Sequence, residues 1–212
     1  MGICPACGHE NTGWAKFCEE CATPLAVAPT TREQRKTVTV LFCDVTGSTA
    51  LGESTDPEAL RALLASYFER MKGIVESHGG TVEKFIGDAV MAVFGVPHVH
   101  EDDALRAVRA GCEMRDALPE LGVQARIGLD TGEVVTGTEE RLATGDAVNV
   151  AARLEQAARP GEILIGEASF ALVREAVEVE PLEPLELKGK TERVRAFRLV
   201  AVGGEATRRH DV

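Results

Sequence analysis

Apolar positions along the chain alternate between two rhythms. Thr37 to Cys43 (TVTVLFC) is an unbroken apolar and β-branched run, bounded by charge before it and by Asp44 and Gly47 after it, which predicts a buried strand. From Glu58 to Ser77 the rhythm changes: Leu60, Leu63, Leu64, Phe68, Met71 and Val75 recur at helical spacing behind Pro57, a residue suited to a first helical turn. Thr81–Ile86 and Ala89–Phe94 flank Gly87-Asp88, a two-residue turn signal, and predict a hairpin. Asp102 to Leu118 reads as a second amphipathic helix with Leu105, Val108, Cys112 and Met114 on one side. Val123–Leu129 and Glu133–Thr136 read as two strands around Gly132, and Ala147–Ala158 as a third helix ended by Pro160-Gly161. Strand-like pieces follow at Ile163–Ile165, Val177–Leu187 and Val194–Val200. Strand, helix, hairpin, helix, strand is the order of a split βαβ core, a ferredoxin-like α+β fold.

The opening of the chain has a different character. Residues 1–26 carry four of the six cysteines, and a Pro/Thr/Ala-rich stretch from Thr23 to Thr31 follows them. The expected organisation is a small module over 1–26, a linker over 27–36, the α+β domain over 37–201 and a polar tail over 202–212.

Charge narrows the function classes. The net charge is −11, yet residues 1–36 are balanced, with Glu10, Glu19, Glu20 and Glu33 against Lys16, Arg32, Arg35 and Lys36. The acidic excess therefore sits in the α+β domain, which lacks the basic stripe that binding to nucleic acid demands. No apolar run approaches the ~20 residues of a membrane span. No basic-then-apolar leader opens the sequence, so a cytoplasmic location is expected, with neither nucleic acid nor membrane as partner.

Cys4, Cys7, Cys18 and Cys21 form two C-x-x-C pairs, the pattern of a four-thiolate structural zinc site, one Zn²⁺ per chain. A segment this short buries too little apolar surface to fold alone, so metal binding supplies its folding energy. Two disulfides would suit an exported protein, and no export signal is present. His9 is a much weaker candidate ligand. With balanced charge and only Trp14 and Phe17 as aromatics, the module suits protein contact or regulation, with Trp14 in its own small core.

Asp44 stands at a strand end before Val45-Thr46-Gly47-Ser48-Thr49. A carboxylate there can bind a hard cation while the loop's amides cradle phosphate. Alone, an aspartate in a turn is commonplace. Asp88, in the hairpin turn, is expected to approach Asp44 in a split βαβ core, and two carboxylates sharing two divalent cations is an arrangement used for displacement at phosphorus. Asn149 and Arg153, four apart in GDAVNVAARLE, share one helix face. They are either a structural pair or an amide and guanidinium offered to a nucleotide. Cys43 and Cys112 read as small core residues, and His98 and His100 as part of an acidic helix start.

Taken in order, VTVLFCDVTGST, VEKFIGDAVMAVF, GDAVNVAARLE and LKGKTERVRAF resemble the class III adenylyl and guanylyl cyclases. The resemblance covers residues 38 to 197. It implies that Asp44 and Asp88, with the Val45 carbonyl, hold Mg²⁺ or Mn²⁺, two ions per site. It implies that Gly47, Ser48 and Thr49 form the phosphate loop, Lys84 reads the purine, Asn149 orients the ribose and Arg153 stabilises charge at the reacting phosphate. Lys188, or else Lys190, contacts the triphosphate. The family's second purine-reading position falls on Leu142, which offers no hydrogen bond to adenine; Thr144 is a substitute if the loop shifts.

The function implied is an adenylate cyclase acting in intracellular signalling, because Lys84 argues for ATP over GTP. The alternative is a catalytically weak or inactive cyclase-like domain that holds nucleotide for regulation, as Leu142 suggests. The resemblance also implies a head-to-tail homodimer, with Lys84, Asn149 and Arg153 of one chain completing the site of Asp44 and Asp88 in the other. Relatives of this pattern often continue into a P-loop ATPase and helical repeats, so a downstream ATPase or regulatory region in a longer parent chain is expected.

Overall fold

The computed structural model describes residues 2–4, 6–12, 15, 17–25, 34–47, 56–136, 145–186 and 193–203. Two short strands, β1 (Gly2–Ile3) and β2 (Glu10–Asn11), pair antiparallel in the N-terminal module. The α+β domain then runs β3 (Gln34–Val45), α1 (Pro57–Ser77), β4 (Thr81–Ile86), β5 (Ala89–Phe94), α2 (Asp103–Ala117), β6 (Ala125–Thr136), α3 (Asp146–Ala157), β7 (Ile163–Gly166), α4 (Glu167–Val173), β8 (Val177–Pro181) and β9 (Ala196–Val202).

These strands form a seven-stranded sheet in the order β4-β5-β3-β6-β7-β9-β8. The first four give the split βαβ arrangement expected from the sequence, every neighbour antiparallel, and β6 and β7 pair parallel. The sheet is therefore mixed.

Strand β3 reads as continuously apolar because both of its faces are covered. Leu41, Cys43 and Val45 pack with Tyr67, Met71 and Val75 of α1 and Val108 and Met114 of α2. Val38, Val40 and Phe42 face the other way, against Ala147 and Ala151 of α3. Helix α1 starts where Asp56 Oδ1 accepts from the backbone N–H groups of Glu58 (2.9 Å) and Ala59 (3.3 Å), with Pro57 in the first turn.

Several expectations need correction. The two strands placed around Gly132 are one, because β6 pairs with β3 without a break from Val45↔Ala125 to Gln34↔Thr136. Gly132 serves packing rather than a turn: a Cβ there would meet the Ala147 Cβ at 3.1 Å. On α2 the buried face is built from Ala104, Ala107, Val108, Ala110, Gly111 and Met114, while Leu105 and Cys112 are only half-buried. On α1 the buried residues are Tyr67, Met71, Ile74 and Val75, while Leu63 and Phe68 pack at the margin. Helix α4 was not expected; seven residues are too few to establish a period.

Candidate functional site

The sheet's register carries two aspartates to one end. Asp44 sits at the C-terminal end of β3, and its cross-strand partner on β5 is Ala89, the residue after Asp88. Asp44 and Asp88 line a single cleft of about 530 Å³, together with Val45, Thr46 and Gly47. The loop is pinned by Thr46, whose backbone N–H and hydroxyl both donate to the Gln124 carbonyl, at 2.8 and 3.1 Å. Gly47 has φ +75°, a left-handed conformation that suits glycine.

The other wall holds residues that the sequence did not single out. Arg126 lies directly opposite Asp44 in the β3–β6 ladder and donates to its carboxylate at 2.5 Å. The same guanidinium nitrogen stands 3.1 Å from Glu155 Oε1 of α3. Arg159 and Pro160, just beyond α3, complete the lining. Burial pushes the Glu155 carboxyl up to about 7, Arg126 opposes that rise, and the negative fields of Asp44 and Asp88 add to it. Two signals pointed to this wall: an arginine inside the apolar ARIGL segment, and Glu155 four residues after Ala151, hence on the helix face that meets the sheet.

Helix α3 comes this close because Gly128 of β6 has no side chain, so that a Cβ there would fall 2.3 Å from the Ala151 carbonyl oxygen. Behind Asp44, the Tyr67 hydroxyl donates to the Cys43 carbonyl at 3.4 Å. Burial pushes the Cys43 thiol up to about 12, keeping it protonated.

Other expected residues lie elsewhere on the chain. Lys84 is exposed on β4, Asn149 is exposed on α3 with its amide donating to the Gly145 carbonyl at 3.5 Å, and Arg153 is half-buried. None of the three lines the cleft of Asp44 and Asp88. Ser48, Thr49, Leu142, Thr144, Lys188 and Lys190 lie outside the described residues.

In the N-terminal module the ligand atoms of Cys4, Cys7, Cys18 and Cys21 all lie within 4.8 Å of one another. The two knuckles are built alike. Gly8 N–H donates to Cys4 O and Ala22 N–H to Cys18 O, each at 2.9 Å, and Gly8 (φ +74°) and Ala22 (φ +54°) turn left-handed after the second cysteine of each pair. Asn11 ties them together, donating to His9 O at 2.9 Å and accepting from Glu19 N–H at 3.0 Å. Hydrogen bonds from Thr23 draw the Cys21 thiol down to about 6, towards the thiolate.

Residues 30–201 match the family model of the adenylate and guanylate cyclase catalytic domain. The chain belongs to that family. The chain is 32% identical over 188 residues to Adenylate cyclase 1 of Rhizobium meliloti, with 79% of this chain but only 28% of that protein covered. In structure it superposes on the adenylyl cyclase CyaB from P. aeruginosa with a TM-score of 0.76, at 33% identity, over 80% of this chain and 96% of the other. It is equally similar to the guanylyl cyclase Cya2: TM-score 0.76, 32% identity, 82% and 97% coverage. No helix among the described residues is long and apolar enough to cross a membrane.

Proposed function

We propose that this cyclase domain converts ATP to 3′,5′-cyclic AMP and pyrophosphate, as an intracellular signalling enzyme. The observation that carries the reading is the convergence of Asp44 and Asp88 on one cleft beside the Thr46–Gly47 loop. Carboxylate oxygens and a loop carbonyl are the hard donors that Mg²⁺ or Mn²⁺ prefer, so the residues present fit such ions. When bound, two such ions lower the pKa of the ribose 3′-hydroxyl and neutralise charge on the phosphates.

The remaining work falls to the chain's own groups. The 3′-oxygen bonds to the α-phosphorus, the bond from that phosphorus to the β-bridging oxygen breaks, and the hydroxyl proton passes to solvent. Asp44 and Asp88 hold the cation end of the substrate. Arg126 and Arg159 bring planar guanidinium groups to the same walls, suited to phosphate oxygens. Preorganised charge of this kind commonly dominates catalysis.

The second half of the site is supplied by a second copy. Lys84, Asn149 and Arg153 stand away from the chain's own cleft, while the hairpin that carries Lys84 and Asp88 also exposes Phe85 (44%) and Ile86 (48%) beside it. A two-fold dimer that covers these side chains would bring one copy's Lys84, Asn149 and Arg153 to the other's aspartates. Lys84 favours ATP. The four gathered thiols of Cys4, Cys7, Cys18 and Cys21 fit one structural Zn²⁺.

The test is cyclic-nucleotide production by the purified chain with ATP and GTP in parallel, each with Mg²⁺ or Mn²⁺. The expected result is cyclic AMP in excess of cyclic GMP, and a loss of about 100-fold or more in Asp44→Ala and Asp88→Ala. No product from either nucleotide, or undiminished product from the alanine variants, overturns the proposal.

A further inference from the structure

Arg126 is shared by two carboxylates and fully satisfied by neither. Its Nη2 donates to Asp44 Oδ2 and also lies 3.1 Å from Glu155 Oε1, yet that second approach lacks hydrogen-bond direction. Arg126 Nε and Glu155 Oε1 are both buried without a hydrogen-bond partner among the described residues. Arg126 and Glu155 are thus an ion pair at 3.1 Å in which each side keeps one hydrogen-bonding atom unpartnered, short of the forked arginine–carboxylate arrangement. Glu155 is 6% exposed, and a carboxylate so placed is costly unless a cation faces it.

A cation at Asp44 competes with Arg126, which holds Oδ2 and sets a positive charge beside the site. The group next to the guanidinium with free acceptor capacity is Glu155. We propose that Glu155 is a positioning residue: it takes the Arg126 guanidinium when a divalent cation takes Asp44, and so sets how readily the cation site fills. The inference rests on the reading of Asp44 and Asp88 as that site. Glu155 meets neither cation nor nucleotide; it acts through Arg126.

The experiment titrates Mn²⁺ without nucleotide into the whole chain, following the free-ion signal by electron paramagnetic resonance and the fold by thermal melting. Wild type, Glu155→Gln, Arg126→Gln and the double variant are compared. With glutamine at 155, Arg126 has no charged acceptor but Asp44 and competes harder with the ion. Mn²⁺ binding should weaken about ten-fold, or about 1.4 kcal/mol. Arg126→Gln removes the competitor and should not weaken binding, and in that background Glu155→Gln should change it by less than about two-fold.

An equal loss in both backgrounds would show that Glu155 acts as a bare negative charge and overturns the proposal, as does no loss at all. If Glu155→Gln fails to melt cooperatively, Glu155→Asp replaces it, keeping the charge but withdrawing it by one methylene. At least about three-fold weakening is then expected, and wild-type binding overturns the proposal. Asp44→Asn separates the premises: should it bind Mn²⁺ as wild type does, the cation-site reading itself fails, whatever Glu155 does.

Discussion

A β-carbon on Gly128 would stand 2.2 Å from the backbone nitrogen of Glu155, a separation that no side chain tolerates. Strand β6 and helix α3 are therefore in backbone contact, and the contact sets the depth of Glu155 beside Arg126. Gly128→Ala must push α3 off the sheet. We expect a loss of about 3 kcal/mol, the upper end of overpacking costs because backbone rather than a flexible side chain is met. Denaturant unfolding measures it, and an activity loss larger than the stability loss explains would follow from the displaced Glu155, Asn149 and Arg153.

A buried row of hydroxyls crosses the opposite face of the sheet. Thr39 Oγ1 and Thr131 Oγ1 are 2.9 Å apart, and Thr131 Oγ1 and Ser169 Oγ 2.8 Å. Thr131→Val preserves shape but leaves two buried hydroxyls without their partner, at a cost of about 2 kcal/mol. Thr39→Val, at the end of the row, should cost about 1 kcal/mol. Urea midpoints in the two single variants would reveal the difference, and equal effects would contradict a shared central hydroxyl.

The proposed shared-site dimer has a consequence for complementation. Asp44→Ala and Arg153→Ala should each be nearly inactive as homodimers. After random exchange, half of the dimers are mixed and one site in each is intact, so about a quarter of wild-type activity returns. Absence of recovery in dimers shown to have exchanged would refute the arrangement.

In the thiol module Ala22 holds a left-handed φ of +54°, where its counterpart in the first knuckle is Gly8. An alanine in that region is strained by roughly 1 kcal/mol. Ala22→Gly should relieve it and tighten Zn²⁺ binding about five-fold, read by competition with a chelator. Weaker binding in the glycine variant would contradict the strain.

One wall of the candidate site, the cleft of Asp44 and Asp88, was legible in the sequence. Asp44 and Val45 end strand β3, and Gly47 and Asp88 stand in the turns beside it, where the residue types announce themselves because the backbone there has few alternatives. Arg126 and Glu155 were not legible in the same way. A charged residue within an apolar strand or helix reveals that something offsets its burial but not what, since the partner lies across a sheet register or a helix packing. Leu105 and Cys112 illustrate the same limit on α2: periodicity located the helix, yet which stripe meets the sheet depended on the glycine and alanines that let it approach.

By itself, the sequence determined the order and type of most elements, the hairpin turn at Gly87-Asp88 and the two cysteine pairs, because each is set by interactions within a few residues. Only the tertiary structure decided that Gly132 continues a strand, that Asp44 stands opposite Arg126, and that Glu155 is buried beside them. Those facts depend on register and on close backbone approach, which couple residues far apart along the chain and leave no local pattern to read.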